Sequence, residues 1–196
     1  PPTRETRLRR LELLARSESH REDIIRAFRG LGKSYITASF VDWRVARNPR
    51  DEKVMVLSAT GGKAKEFVSQ AKGLMESMPM LQWLLQGDRE LGTRRRDESD
   101  QFDVSGASNS QSYSIKARGI DGQITGSRAT LLVPDDIEIP QNSKTETARQ
   151  SILNIIRSDF GNIVKTEHGR GDTIFLGTPQ TEESIYNVLV VEMGYR

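Results

Sequence analysis

A three-layer α/β fold, with a mainly parallel central sheet between flanking helices, is what this 196-residue sequence predicts. Three observations predict it. Short apolar runs suited to buried strands alternate with longer segments of helical period. A glycine-rich loop joins the first of those runs to a helix, and later runs end in the polar tips Ser-Ala-Thr, Asp-Asp and Gly-Thr-Pro.

Taken in order, residues 3–16 have the pattern of a basic amphipathic helix, with Leu8, Leu11, Leu14 and Ala15 on one side and arginines around them. It reads as a helix packed on the domain edge, a DNA-contacting surface being the alternative. Ser17 to Asp23 is a polar break, so residues 1–23 are taken as a lead-in and 24–196 as the core domain. Ile24 to Phe28 is expected as the first core strand. The helix from Tyr35 to Arg47 is apolar nearly all round and should be largely buried; Asn48-Pro49 ends it. Lys53 to Ser58 reads as a second buried strand. Ala64, Phe67, Val68, Ala71, Leu74, Met75 and Met78 then mark a helix closed by Pro79, its methionines serving as core filler.

Residues 86–112 change character, with Arg94-Arg95-Arg96 set among Asp, Ser, Gly and Asn. This excursion reads as a solvated loop, or as one touching a polyanion. Phe102 to Val104 and Tyr113 to Ile120 alternate as strands do. Thr130 to Val133 is a fully apolar strand leading into Pro134-Asp135-Asp136. A helix through Ala148, Ile152, Ile156 and Phe160 follows, then a strand from Thr173 to Leu176, then a last helix around Ser184 to Val191.

Composition removes several chemistries. With no cysteine there are no disulfides, thiolate metal sites or cysteine nucleophiles, and two histidines cannot build a histidine metal cluster. Lys plus Arg outnumber Asp plus Glu by 29 to 27, too mild an excess to establish nucleic-acid binding. No apolar stretch approaches the roughly 20 residues that span a bilayer, and no signal peptide is visible. The chain starts without methionine and stops soon after a helix, which suggests a piece of a longer protein.

The loop Ala27-Phe28-Arg29-Gly30-Leu31-Gly32-Lys33-Ser34 fits a phosphate-binding loop in its strand–loop–helix setting. Glycines let backbone amides turn toward phosphate oxygens, and the helix start adds a favourable dipole. Residues Arg29 to Tyr35 are the expected nucleotide contacts, with Lys33 on the β- and γ-phosphates and Ser34 on magnesium. Ala27 stands where the usual pattern has its first glycine. The acidic strand supplies the complement: Asp135 for the metal, and Asp136 to orient the attacking water. Glu138, on the same face as Asp136 if the segment stays extended, is its rival. Thr178 or Gln180, at the tip of a neighbouring strand, can sense the γ-phosphate. The order of these tips belongs to RecA-like and helicase-like P-loop ATPases of the ASCE class, and the guanine-reading Asn-Lys-x-Asp motif is absent.

Four blocks carry a family resemblance: residues 27–34, Gln-Ile-Thr-Gly-Ser-Arg-Ala at 123–129, Asp-Asp-Ile-Glu-Ile-Pro at 135–140 and Leu-Gly-Thr-Pro-Gln-Thr at 176–181. From about Pro2 onward the chain resembles the ATPase domain of the large terminase subunit of tailed bacteriophages, the short-tailed type most closely. The resemblance implies Mg2+-dependent ATP hydrolysis that drives double-stranded DNA into a procapsid. It also implies a homo-oligomeric ring, expected as a pentamer, working with the portal protein and the small terminase subunit. The host cytoplasm during virion assembly is the implied place, with no membrane partner. The isolated domain is expected to be a weak, monomeric ATPase. The family's C-terminal nuclease is expected to be absent from this chain, and nuclease activity with it.

By the same resemblance Arg29 matches a γ-phosphate-sensing arginine, Arg128 is a candidate arginine finger acting on a neighbouring subunit, and Thr178 falls at the coupling motif. A surface ion pair is the plainer reading of Arg128. Thr6 stands where the family often has an adenine-reading glutamine, and Lys63, Lys65 and Arg94 to Arg96 are candidate DNA-facing charges. The competing functions are a helicase-like translocase, a small-molecule P-loop kinase with 86–112 as its lid, and a module that binds ATP without turnover.

Overall fold

The computed structural model describes residues 22–28, 30–86, 96–124, 126–166, 169–179 and 181–194. The basic helix read at 3–16, Thr6, Arg29, Arg94, Arg95 and Gln180 lie outside them. The strands are β1 (Glu22–Arg26), β2 (Val54–Ser58), β3 (Gln101–Phe102), β4 (Ile115–Gly119), β5 (Leu131–Asp135), β6 (Lys165–Thr166), β7 (Gly169–Arg170) and β8 (Asp172–Gly177). Six of them form the main sheet in the order β1-β8-β5-β2-β4-β3, and β6 pairs with β7 in a small ribbon. All pairings in the main sheet are parallel except that of β3 with β4.

Helices α1 (Lys33–Arg47) and α2 (Gly61–Ser77) cover one face. Helix α3 (Glu146–Ile155) runs on through a π-helical stretch, Ile156–Phe160, and a last turn, Gly161–Ile163. It covers the other face together with α4 (Ile185–Met193). Alternation along each strand divides the core accordingly. Val54, Val56, Leu131 and Val133 pack under α1 and α2, whereas Met55, Leu57, Leu132 and Phe175 pack under α3 and α4. The predicted three layers are therefore present.

β2 and β5 are buried at every position, which is why they read as unbroken apolar runs. β5 extends beyond the expected Val133 to Asp135, so the strand itself delivers the carboxylate. β1, read as a core strand, lies at the edge of the described sheet and is only half-buried. It starts at Glu22, so the division drawn between residues 23 and 24 falls inside it.

Residues 96–112 differ from the solvated loop expected of the excursion. Phe102 and Val104 are buried, and Arg96 is consumed internally. Its guanidinium pairs with Asp103, donates to the carbonyls of Ser110 at 2.9 Å and Ser112 at 3.4 Å, and lies 4.0 Å from the Tyr113 ring centre. Arg96 is thus a staple of the fold rather than a DNA-facing charge. The sequence pattern missed this because the partners of Arg96, a carboxylate, two carbonyls and one tyrosine ring, leave no apolar period.

Asp42 is the chief internal liability. It is 1% exposed in the middle of α1, and neither carboxylate oxygen has a hydrogen-bond partner among the described residues. Burial pushes its pKa from 3.8 up to about 8. The folded chain therefore keeps a proton that the unfolded chain releases above its lower value. Stability from this group is full below pH 3.8 and falls as pH rises toward 8. Asp42→Asn, which mimics the neutral acid, should flatten that decline and raise the unfolding midpoint at pH 8 by roughly 5 °C or more. Thermal melts of both proteins across this range check it; an equal decline in the two would remove Asp42 as its source.

Candidate nucleotide-binding site

The phosphate loop, β5 and β8 converge because β8 lies between the other two strands: Leu176 is paired with both Ile25 and Asp135. The loop after β1, the carboxylates after β5 and Thr178 after β8 consequently emerge at one edge of the sheet. Gly30 and Gly32 have φ of 83° and 77°, left-handed values that a side chain resists. Ala27 has no such φ, so the alanine in place of the usual first glycine is accommodated without strain. Gly32 caps α1 without a side-chain hydrogen bond, and among the described residues no side chain accepts from the first-turn amides. Those amides, with no acidic residue in that turn, leave a positive helix start facing the loop.

The Lys33 ammonium donates to the Thr178 hydroxyl at 2.8 Å and to the Ala27 carbonyl at 3.1 Å. Thr178 Oγ1 donates in turn to the Ala27 carbonyl at 3.1 Å. Lysine, loop and β8 tip are therefore one hydrogen-bonded unit. Gly177 lets the Tyr186 ring of α4 pack against the end of β8, since a Cβ there would come within 2.5 Å of that ring.

Ser34 Oγ donates to the Asp135 carboxylate, at 3.1 Å from Oδ2 and 3.4 Å from Oδ1. The two groups are 101 positions apart in the chain, and their meeting is the central juxtaposition predicted from the motifs. Ser58 Oγ donates to the Asp135 carbonyl at 2.8 Å and fixes the end of β5. Burial lifts the Asp135 pKa to about 6, reinforced by the Asp136 charge, while Ser34, Lys33 and Lys63 pull it down. Lys63, expected to face DNA, stands in the first turn of α2 and acts electrostatically on this carboxylate. Ser58 and Lys63 are the site residues that the motifs did not identify. The apolar strand ending Ser-Ala-Thr was the available signal for both.

The two rival carboxylates separate. Asp136 has φ 43°, making it the lone non-glycine residue with positive φ among those described. Its amide donates to the Leu176 carbonyl at 2.9 Å, and its buried Oδ1 has no hydrogen-bond partner among the described residues. That left-handed turn breaks the extended path that would have put Glu138 on the same face. Glu138 is 1% exposed and serves the start of α4, accepting from the Ser184 hydroxyl and from the Ile185 amide at 3.4 Å. Burial raises its pKa, opposed by the bonds to Ser184 and Ile185 and by the Arg149 charge.

Gly30 and Gly32 are exposed, Leu31 is half-buried, and Tyr35 is exposed in the first turn of α1. Arg128 is not at this edge. It is exposed ahead of β5 and donates to the Asn162 carbonyl at 2.7 Å, a partner that is not the carboxylate of a surface ion pair.

This fold and loop define a RecA-like P-loop nucleotide-binding domain. No protein-family model matches the chain. Over 172 residues it is 38% identical to the terminase large subunit of Enterobacteria phage T3, an alignment that spans 88% of this chain and 28% of that protein. The chain is thus a relative of the phage large terminase subunit, as its motifs implied. The N-terminal domain of the DNA packaging ATPase from bacteriophage phi29 shares the fold, with a TM-score of 0.52 at 12% identity over 94% of this chain and 87% of that one. The large terminase ATPase domain of Thermus phage P74-26 gives a TM-score of 0.49 at 13% identity, over 96% of this chain and 74% of that one.

Proposed function

We propose that this chain is the ATP-hydrolysing motor domain of a viral large terminase subunit, and that it drives double-stranded DNA into a procapsid. The observation that carries this reading is the contact of Ser34 with Asp135 beside the Lys33–Thr178 unit. Magnesium fits the first pair. Magnesium favours hard oxygen donors, and the Ser34 hydroxyl and Asp135 carboxylate, 3.1 Å apart, are the groups that would hold it. When bound, the ion would neutralise charge on the β- and γ-phosphates.

The chain's own groups supply the rest. The Gly30–Gly32 backbone and the first turn of α1 cradle phosphate, with Leu31 and Tyr35 beside them, and Arg29 is proposed to sense the γ-phosphate. Lys33 exchanges the Thr178 hydroxyl for a γ-phosphate oxygen. Thr178 then loses a donor, so nucleotide occupancy is transmitted along β8 and the segment leading to α4. Asp136, with an unpartnered oxygen next to Asp135, orients the attacking water and takes up its proton.

Arg128 precedes β5, and Asp135 ends it. Five residues of strand span about 17 Å, so Arg128 is remote from its own subunit's phosphates and can serve only a neighbour's. That supports a ring, for which five subunits, the portal protein, the small terminase subunit and host cytoplasm are the partners and place proposed. A decisive test is mixing. Arg128→Ala and Lys33→Ala subunits, each inactive alone, should regain magnesium-dependent ATP hydrolysis when combined, because intact loops then meet intact fingers. Failure of the mixture at concentrations that assemble the wild-type ring would remove the finger role.

A further inference from the structure

We propose that a second anion site, built around Lys53 and Lys116 and suited to a phosphate group, lies at the edge of the sheet opposite the phosphate loop. A cavity of about 900 Å³ opens there, lined by Lys53, Lys116, Ser110, Tyr113, Ser127 and Arg128 among others. The sheet itself builds its floor. Lys53 precedes β2 and shares a face with Met55, and Met55 is paired in register with Lys116 on β4. Val54, Val56, Ile115 and Ala117 point to the other face, under α1 and α2. Two ammonium groups distant in sequence are thereby placed on one side of adjacent strands.

Lys53 is the unusual member. It is 8% exposed, and its buried ammonium has no hydrogen-bond partner among the described residues. Buried charges are ordinarily paired, because an unpaired one forfeits hydration without return. The nearest acids do not supply the missing acceptor. Asp103 accepts from Arg96 and from the Ser114 amide, and Asp51 is exposed on the rim. Burial holds the Lys53 pKa below the usual lysine range, with Arg96 adding to that effect and Asp103 and Asp51 opposing it. Lys116 is likewise depressed by burial, and its ammonium donates to Ser127 Oγ at 2.9 Å. Arg128 stands exposed at the mouth.

The donor set selects the ligand. Two ammonium point charges with serine hydroxyls beside them suit a compact anion of several oxygens, which can accept from several donors at once. The Tyr113 hydroxyl, by contrast, is already given to Glu98 at 2.8 Å. A carboxylate offers two oxygens and favours a guanidinium fork. The cavity volume lies in the range of small-ligand pockets, so a single phosphate, free or carried on a larger molecule, fits better than a broad docking surface. The site is distinct from this subunit's own phosphate loop, being separated from Lys33 by the length of β2 and its neighbours.

The experiment uses the full chain with Lys33→Ala, which disables the phosphate loop, and titrates inorganic phosphate by calorimetry and thermal shift. Saturable binding should persist in that background. Adding Lys53→Met should weaken it at least about tenfold, and adding Lys116→Met should weaken it too. Lys53→Met should also raise the unfolding midpoint without phosphate, since it removes a buried unpaired charge; this separates a lost site from a lost fold. Displacement of phosphate by a short DNA duplex would identify a backbone phosphate as the natural source. Displacement by nucleotide alone would identify a small molecule. No saturable binding to the Lys33→Ala chain, or equal binding after Lys53→Met, overturns the site.

Discussion

Lys33→Ala should reduce ATP hydrolysis by at least about 100-fold, the usual loss when one preorganised donor to transition-state charge is removed. Lys33 is buried at the start of α1, beside glycines whose left-handed φ turns the loop inward. Its ammonium is within hydrogen-bond distance of Thr178 and Ala27 and of no carboxylate in the bonds observed. A lysine held by neutral acceptors can transfer to a phosphate without breaking an ion pair. The substitution removes two hydrogen bonds worth about 1 kcal/mol each, so the protein should stay folded. Phosphate release and nucleotide affinity measured on the same sample separate loss of chemistry from loss of fold. Wild-type turnover in a folded Lys33→Ala protein would sink the loop assignment, and with it the motor reading.

Much of the fold is visible in the sequence because its inner strands are buried on both faces. β2 and β5 leave unbroken apolar runs, and α2 leaves a clean stripe from Ala64 to Met75. The edge is harder to read. β1 is half-buried, so its apolar pair Ile24-Ile25 marks the strand without marking its start at Glu22. The site shows the same division. Ser34 and Asp135 follow from motif chemistry and the structure brings them together, whereas the split between Asp136 and Glu138 depends on one backbone angle that spacing does not encode. Arg96 was read by its charge, yet its position is set by Asp103, two carbonyls and a tyrosine ring. The Lys53–Lys116 pair is invisible to any local pattern, because only strand register makes them neighbours.

Asp136→Asn should bind ATP and fail to split it, with turnover down about 10²–10⁴-fold, the range for loss of a positioned base. Glu138→Gln should give the opposite phenotype, near-normal turnover per folded molecule and a lower unfolding midpoint. A group that orients attacking water must meet that water. Glu138 is 1% exposed, and its two oxygens are occupied by Ser184 and the Ile185 amide at the start of α4. Replacing one of those oxygens by an amide nitrogen sets donor against donor at that helix start, at a cost of about 1–3 kcal/mol. Asp136 is the reverse case, held at φ 43° with one oxygen unpartnered beside Asp135. An off-pattern backbone at such a position is the kind of strain that functional sites retain. Nucleotide binding, single-turnover hydrolysis and thermal melts on both variants distinguish the roles. If Glu138→Gln is the one that binds without hydrolysis while Asp136→Asn turns over normally, the water is oriented by the longer acid and α4 must move to release it.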